Sequence, residues 1–347
     1  MRFPQVLKTY HTRSTSLITL LLLLTLIVAV PRESRSQDPD EVITTETSLV
    51  QLNVGVVDRQ GRAVTSLSRQ DFAVYEDDVR QAIQSFEPTH APFSLVLLLD
   101  MSGSTVNFRQ QLKQAATRFL DALGPDDRVA VIQFNAKVRT LAGFSTDRRK
   151  SAYAILELAD GAGETHFYTA LKYSLAELQK EGKRRKAIVV LTDGLDTQQR
   201  FSDRAAAAQA QTDEEALASI NPEKSVALNS VLTAADRQGV TIYPLALPSG
   251  DPKRLPLPDP IINGIYGAAR ARLQTIADRT GGSLNEIHRL DQMARLYVEV
   301  AASLRTLYTV AYQAPGNRPR DGKWHSIRVE VKDPALTART RPGYFAR

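Results

Sequence analysis

The sequence predicts an α/β protein: a doubly wound, mostly parallel sheet in the middle of the chain, flanked by a small β-sandwich built from the N- and C-terminal segments. Three observations predict it. Between about Phe93 and Leu304, short aliphatic runs alternate with amphipathic stretches of helical period. Before and after that region, apolar and polar residues alternate with the period of two that marks a half-buried strand. A length of 347 residues, 43% hydrophobic and 24% charged, accommodates one large domain or a medium domain with a smaller companion.

The chain opens on a leader. Arg2, Lys8 and Arg13 precede the uncharged run "LITLLLLLTLIVAV" at residues 17–30, which is followed by Pro31 and the small residues Ser34 and Ser36. Basic, apolar and small residues in that order are those of a secretory signal peptide over residues 1–36. The apolar run is shorter than the roughly 20 residues that cross a bilayer. The expectation is therefore an exported protein, periplasmic or secreted, with a retained N-terminal membrane anchor as the alternative. The absence of cysteine excludes disulfides, a thiolate zinc site and a lipid carried on cysteine. The formal charge of +6 gives no ground for a nucleic-acid partner, because five basic residues against one acid in the leader leave only +2 for the rest.

Residues 46–90 read as β-structure. Val50, Leu52, Val54 and Val56 alternate with polar or small residues and lead into a turn at Asp58-Arg59-Gln60-Gly61. A second pair, "DFAVYEDDVRQAIQSFE", turns at Glu76-Asp77-Asp78, where acidic residues tolerate unusual backbone angles. Residues 306–347 match this pattern through Tyr308, Val310 and Tyr312 and then Ile327, Val329 and Val331. Two or three strands cannot bury an apolar face unaided, so the two blocks are expected to pair into one sandwich with residues 93–305 inserted between them.

Within that central domain the strands are expected at residues 95–99, 129–134, 187–191 and 240–245, and "NFRQQLKQAATRFLDAL" places Phe108, Leu112, Ala115, Phe119 and Leu123 on one helical face. Continuous aliphatic strands separated by helices mean a parallel sheet covered on both faces. Pro244 lacks the donor a central strand needs and puts its strand near the sheet's edge, or the strand's end at that residue. The Ala/Gln-rich stretch at residues 203–224 and the Pro-rich "PSGDPKRLPLPDPIING" read as loops or insertions. "KRRK" at residues 183–186 follows Gly182 and reads as a solvated helix cap, since positive charge suits a helix C-terminus.

In open α/β sheets, ligands sit beyond the carboxyl ends of the strands. The first central strand ends there in "LLLDMSGSTVNF", so that Asp100, Ser102 and Ser104 bring alternate oxygen-bearing side chains toward one point, with Gly103 permitting a tight path. Thr165 lies in a Gly-flanked loop before a helix, and "AIVVLTDGLD" ends a buried strand in Thr192, Asp193 and Gly194. Oxygen donors from three loops are what a hard divalent cation such as Mg²⁺ takes.

The set Asp100, Ser102, Ser104, Thr165 and Asp193 resembles the metal-ion-dependent adhesion site of von Willebrand factor type A domains. The wider chain is similar to the secreted VWFA-related proteins first noted in acidobacteria, through "DFAVYEDDVRQAIQSFE", "DRVAVIQF", "LTDGLDT", "TGGSLNEI" and "RTRPGYFAR". The resemblance implies a Mg²⁺ site, with Mn²⁺ or Ca²⁺ possible. In it the serines, and often the threonine, touch the metal, while the aspartates commonly act through water. A carboxylate from a protein partner completes the shell. Two departures stand out: Gly163-Glu164-Thr165 replaces the usual Gly-Gly-Thr, and Asp stands in the Glu76-Asp77-Asp78 turn where Gly is frequent.

Other classes compete. Asp100 or Ser104 can cap the helix expected near Asn107, and Asp193 a loop. His166 has no Ser-His-Asp order or nucleophile elbow around it and reads as a loop histidine. A phosphatase-like hydrolase using Asp100 as nucleophile needs a general acid two residues on, where Ser102 stands. A structural envelope protein with a vestigial metal site is the third possibility.

Overall fold

The computed structural model describes residues 49–247, 259–289, 292–314 and 322–346. The predicted leader and residues 248–258 of the Pro-rich stretch lie outside the described residues. Among the described residues no helix is long and apolar enough to cross a membrane.

The central sheet is built on β5 (Phe93–Asp100), whose residues are all buried. It pairs in parallel with β6 (Arg128–Phe134) on one side and β8 (Arg185–Thr192) on the other. Beyond β8 lie β9 (Thr241–Ala246) and the two-residue β10 (Asn285–Glu286), both parallel. Among the described residues only β10 lies beyond β9, so Pro244 sits near the edge as expected. Two strands were not anticipated: the two-residue β10, and β7 (Val138–Ser145), which pairs antiparallel with β6, its alternation broken by two register shifts.

The strand period of two divides the aliphatic residues between two helical layers. Leu95, Leu97 and Leu99 pack with α1 (Arg109–Ala122) and α8 (Met293–Leu304). Val96 and Leu98 pack with α3 (Phe167–Gln179), α6 (Val226–Gln238) and α7 (Pro260–Thr280). Between β7 and α3 lie the short helix α2 (Arg148–Tyr153) and a π turn at Ala154–Leu158. The Ala/Gln-rich stretch read as a loop contains the end of α4 (Thr197–Ala206) and all of α5 (Asp213–Ile220). Helix α5 buries only Ala216 and Ile220, packing them with Ile265 and Ala268 of α7; a stripe so narrow leaves little hydrophobic period in the sequence.

The N- and C-terminal segments interleave in two antiparallel sheets. One has the order β13-β1-β11-β4 and the other β14-β12-β2-β3. Their strands are β1 (Leu49–Val57), β2 (Phe72–Glu76), β3 (Val79–Gln81), β4 (Ile83–Glu87), β11 (Leu307–Gln313), β12 (Trp324–Val331), β13 (Thr337–Arg339) and β14 (Gly343–Phe345). Val50, Leu52, Val54 and Val56 share a core with Val74, Tyr308, Val310, Tyr312, Ile327 and Val329. Asp77 and Asp78 adopt φ of 48° and 62° in the tight turn between β2 and β3.

The "KRRK" reading is corrected. Arg185 is fully buried, because its guanidinium donates to carbonyls of Thr89, Ala91, Leu304 and Leu307 at 2.7–3.0 Å and stacks 3.9 Å above the Phe93 ring. Arg184 is likewise engaged, donating to Phe93 O and Asp126 O at 3.0 and 2.8 Å.

Candidate metal centre

Asp100 emerges from β5 with no solvent exposure. Its Oδ1 accepts from the Ser102 N–H at 3.0 Å and its Oδ2 from the Thr192 hydroxyl at 2.7 Å, so the first and third loops meet on this one carboxylate. The Ser102 and Ser104 hydroxyls stand 3.1 Å apart. The capping alternative fails here: α1 begins only at Arg109, and neither its N-cap Phe108 nor Ser102, the N-cap of the preceding 3₁₀ turn, makes a side-chain cap bond.

The second loop is held against the first by the bond from Gly103 N–H to Gly163 O at 3.0 Å. Arg109 extends the joint by donating to Met101 O at 3.3 Å, to Gly161 O and to Asp160 Oδ1 at 2.9 Å. Thr165, 8% exposed, is locked to the start of α4 by a reciprocal pair: its N–H donates to Thr197 Oγ1 at 3.0 Å and its carbonyl accepts from Thr197 N–H at 2.8 Å. Glu164 points away from this joint into solvent, 63% exposed, with its carboxylate 3.4 Å from His166 Nε2.

Asp193 closes the group from the end of β8. One oxygen accepts from Leu195 N–H at 3.1 Å, so the loop-capping alternative accounts for half of this side chain. The other, Oδ2, is buried with no hydrogen-bond partner. Gly194, at φ of 84°, lets α7 approach closely: a Cβ there would lie 2.8 Å from Leu273 Cδ1.

Electrostatically the two carboxylates are in deficit. Burial, followed by repulsion from Asp193, pushes the Asp100 carboxyl up to about 7. Burial also raises Asp193, against the lowering effect of the Leu195 N–H, the Ser104 hydroxyl and the Arg270 guanidinium. Two buried acids that cannot both ionise comfortably, one with an unpartnered oxygen and both beside converging hydroxyls, fit a divalent cation in charge and in donor chemistry.

The structure thus brings Asp100, Ser102, Ser104 and Asp193 together and braces the Thr165 loop against them. Sequence reasoning missed Thr197, Arg109 and Arg270, which act across long separations; Thr197 alone left a trace, as the last residue of "LTDGLDT". A second group, Glu76, Asp77 and His325, has potential ligand atoms within 4.8 Å of one another. Its atoms already serve the sandwich, with His325 Nδ1 at 2.7 Å from Asp77 Oδ2 and Glu76 accepting from the Tyr312 and Tyr344 hydroxyls.

The fold and the site together define a doubly wound α/β domain with hydroxyls and paired carboxylates over the carboxyl edge of its sheet. Residues 95–195 match the family model described as von Willebrand factor type A domain, and this central segment is a domain of that kind, a class of interaction module. No curated protein matches the sequence. Similar solved structures include an aerotolerance-related membrane protein from Bacteroides fragilis (15% identity, 60% of this chain and 98% of that one, TM-score 0.42). A von Willebrand factor type A protein from Catenulispora acidiphila is similar at 13% identity over 87% of this chain and 72% of its own, with TM-score 0.44. Proximal thread matrix protein 1 from the mussel byssus, with a zinc-occupied MIDAS motif, is similar at 16% identity over 65% and 49%, with TM-score 0.44.

Proposed function

We propose that the protein is an exported, non-enzymatic binding protein that captures an acidic group of a protein partner through a divalent cation, Mg²⁺ or in its place Mn²⁺ or Ca²⁺. The carrying observation is the buried, unpartnered Oδ2 of Asp193 beside the equally buried Asp100. Ser102, Ser104 and Thr165 supply neutral oxygens to the ion, and Asp100 and Asp193 neutralise it. A bound cation supplies positive charge and a coordination position for a carboxylate from outside. Export rests on the leader-like residues 1–36; an N-terminal anchor would leave the binding domain on the same side of the membrane.

Non-enzymatic action is supported by the surroundings of Asp100. Both its oxygens already accept hydrogen bonds, and the residue two positions on is a serine, which is no general acid at neutral pH.

Asp100→Ala or Asp193→Ala is expected to abolish EDTA-sensitive capture of partners from the source's envelope fraction while the protein remains folded in EDTA. Capture by the variants equal to wild type in Mg²⁺ contradicts the reading. Absence of any heat on titrating Mg²⁺ or Mn²⁺ into the wild type returns the protein to a structural role, and Mg²⁺-dependent phosphatase turnover lost in Asp100→Asn makes it an enzyme.

A further inference from the structure

We infer that the metal face carries a second anion subsite, built on Arg270 of α7, so that the partner segment presents two adjacent acidic side chains, one to the cation and one to this guanidinium. The inference deepens the proposed function and rests on it.

Arg270 reaches the metal loop through a short chain of contacts. Its NH2 donates to Leu247 O at 3.3 Å, Leu247 N–H donates to Thr192 O at 2.9 Å, and the Thr192 hydroxyl holds Asp100 at 2.7 Å. The close seating of α7 on Gly194 fixes the helix there, with Leu273 one turn beyond Arg270 and Tyr266 one turn before it.

The guanidinium is under-engaged for such a place. Its NH1 is covered and has no hydrogen-bond partner, although a planar fork of five donors is suited to bidentate carboxylate binding. Its Nε meets only Glu286 Oε1, at 3.4 Å, with the two side chains 32% and 42% exposed. An ion pair that long and that wet contributes little. A carboxylate from a partner can therefore displace Glu286 at Nε, the edge of the guanidinium that this loose pair occupies.

Burial raises the half-buried Tyr266 phenol, with the Asp193 charge adding to the rise and the Arg200 charge opposing it, so one aromatic ring lies within electrostatic reach of both the metal site and a second cation. With the ion bound, its charge offsets those of Asp100 and Asp193, and Arg270, loosely paired with Glu286, and Arg200 are cations within electrostatic reach of this face. One acid on the cation satisfies the metal but not Arg270; two neighbouring acids satisfy both.

The test compares two synthetic peptides, acetyl-Gly-Gly-Asp-Gly-Gly-amide and acetyl-Gly-Gly-Asp-Asp-Gly-amide, displayed on beads, for capture of the full chain in Mg²⁺ and in EDTA. The di-acidic peptide is expected to bind about tenfold tighter in Mg²⁺, the gain of one partly exposed charge-assisted contact. The ratio is expected to fall to about twofold, the statistical value for two acids competing for one site, in Arg270→Gln, and to an intermediate value in Arg270→Lys, which keeps charge but not the fork. A ratio of twofold or less in the wild type overturns the second subsite while leaving the metal reading intact, and so does a tenfold ratio that persists in a folded Arg270→Gln. Binding of neither peptide in Mg²⁺, or Mg²⁺-dependent capture of polygalacturonate alone, overturns the protein-directed reading itself and this inference with it.

Discussion

Asp100 is surrounded by protein on every side, and its proton is the cheapest counter-charge the metal-free site has. An unfolded chain loses that proton near the ordinary value of 3.8, whereas the folded chain keeps it to about 7. Between those limits the native state binds more protons, so native stability falls as pH rises. The slope is about 1 kcal/mol per pH unit for one fully shifted group. In EDTA the unfolding midpoint is expected to drop by several degrees between pH 5 and pH 7.5, and Asp100→Asn should lose most of that slope. On the proposed function Mg²⁺ competes with the same proton, so it should stabilise the protein far more at pH 7.5 than at pH 5. A flat midpoint in EDTA over this range contradicts the raised Asp100 carboxyl. At this scale the sequence was informative wherever chemistry is rare: a carboxylate and hydroxyls at the end of an aliphatic strand are costly unless used, and Asp100, Ser102, Ser104 and Asp193 were legible for that reason. Arg270 was not, because an arginine on an amphipathic helix is ordinary until the fold shows which loop it overlooks.

Loops at a strand edge are positioned by what locks them, and the Thr165 loop depends on Thr197. The two residues exchange hydrogen bonds of 3.0 and 2.8 Å, one through the Thr197 hydroxyl and one through its backbone. Thr197→Val removes the hydroxyl acceptor at nearly constant volume and is expected to weaken Mg²⁺ binding several-fold by calorimetry, with Thr197→Ser restoring it. Equal affinity in all three proteins removes Thr197 from the site. The other end of β8 is secured by Arg185, which satisfies carbonyls from the segment before β5, from the end of α8 and from the start of β11. Burial pulls this guanidinium down to about 10, still charged at neutral pH. Arg185→Lys offers three donors in place of a planar fork and leaves buried carbonyls unpartnered, each worth roughly 1–3 kcal/mol. The expected cost is about 2–4 kcal/mol, read as a fall of about 5–10 °C in the unfolding midpoint; an unchanged midpoint contradicts it. "KRRK" was misread because a basic run is usually solvated, and only the closure of two distant segments around one of its residues makes it internal. The α5 helix was missed for the complementary reason, since alanine and glutamate favour helix while supplying almost no hydrophobic period.

On the scale of the whole chain, the sandwich and the central domain depend on each other through order of connection. Strand β11 lies between β1 and β4, and β12 between β14 and β2, so each sheet is completed only when the C-terminal strands arrive. Both sheets lean on the central domain as well. Asn53 of β1 donates to Thr241 Oγ1 at 2.8 Å, and Arg341 reaches Asp236 O at 2.8 Å. The alternating pattern of the outer strands foretold the pairing; it did not foretell that Thr309 and Ala311, on the second face of β11, would be buried too. A chain ending at residue 305 keeps the metal loops but removes Tyr308, Val310, Tyr312, Ile327 and Val329 from the sandwich core and the Leu307 carbonyl from Arg185. Residues 49–92 of such a chain are expected to be cut rapidly in limited proteolysis, whereas full-length protein resists under the same conditions. A truncated chain whose N-terminal segment stayed protected, or a full-length digest that released residues 49–92 as a folded fragment, would show that the two β blocks do not need each other. Long-range pairing of this kind forms late, because the chain between β1 and β11 must first be gathered in. The central domain is therefore expected to acquire its sheet before the sandwich closes, and pulse-labelled hydrogen exchange should protect β5 and β8 ahead of β1 and β11.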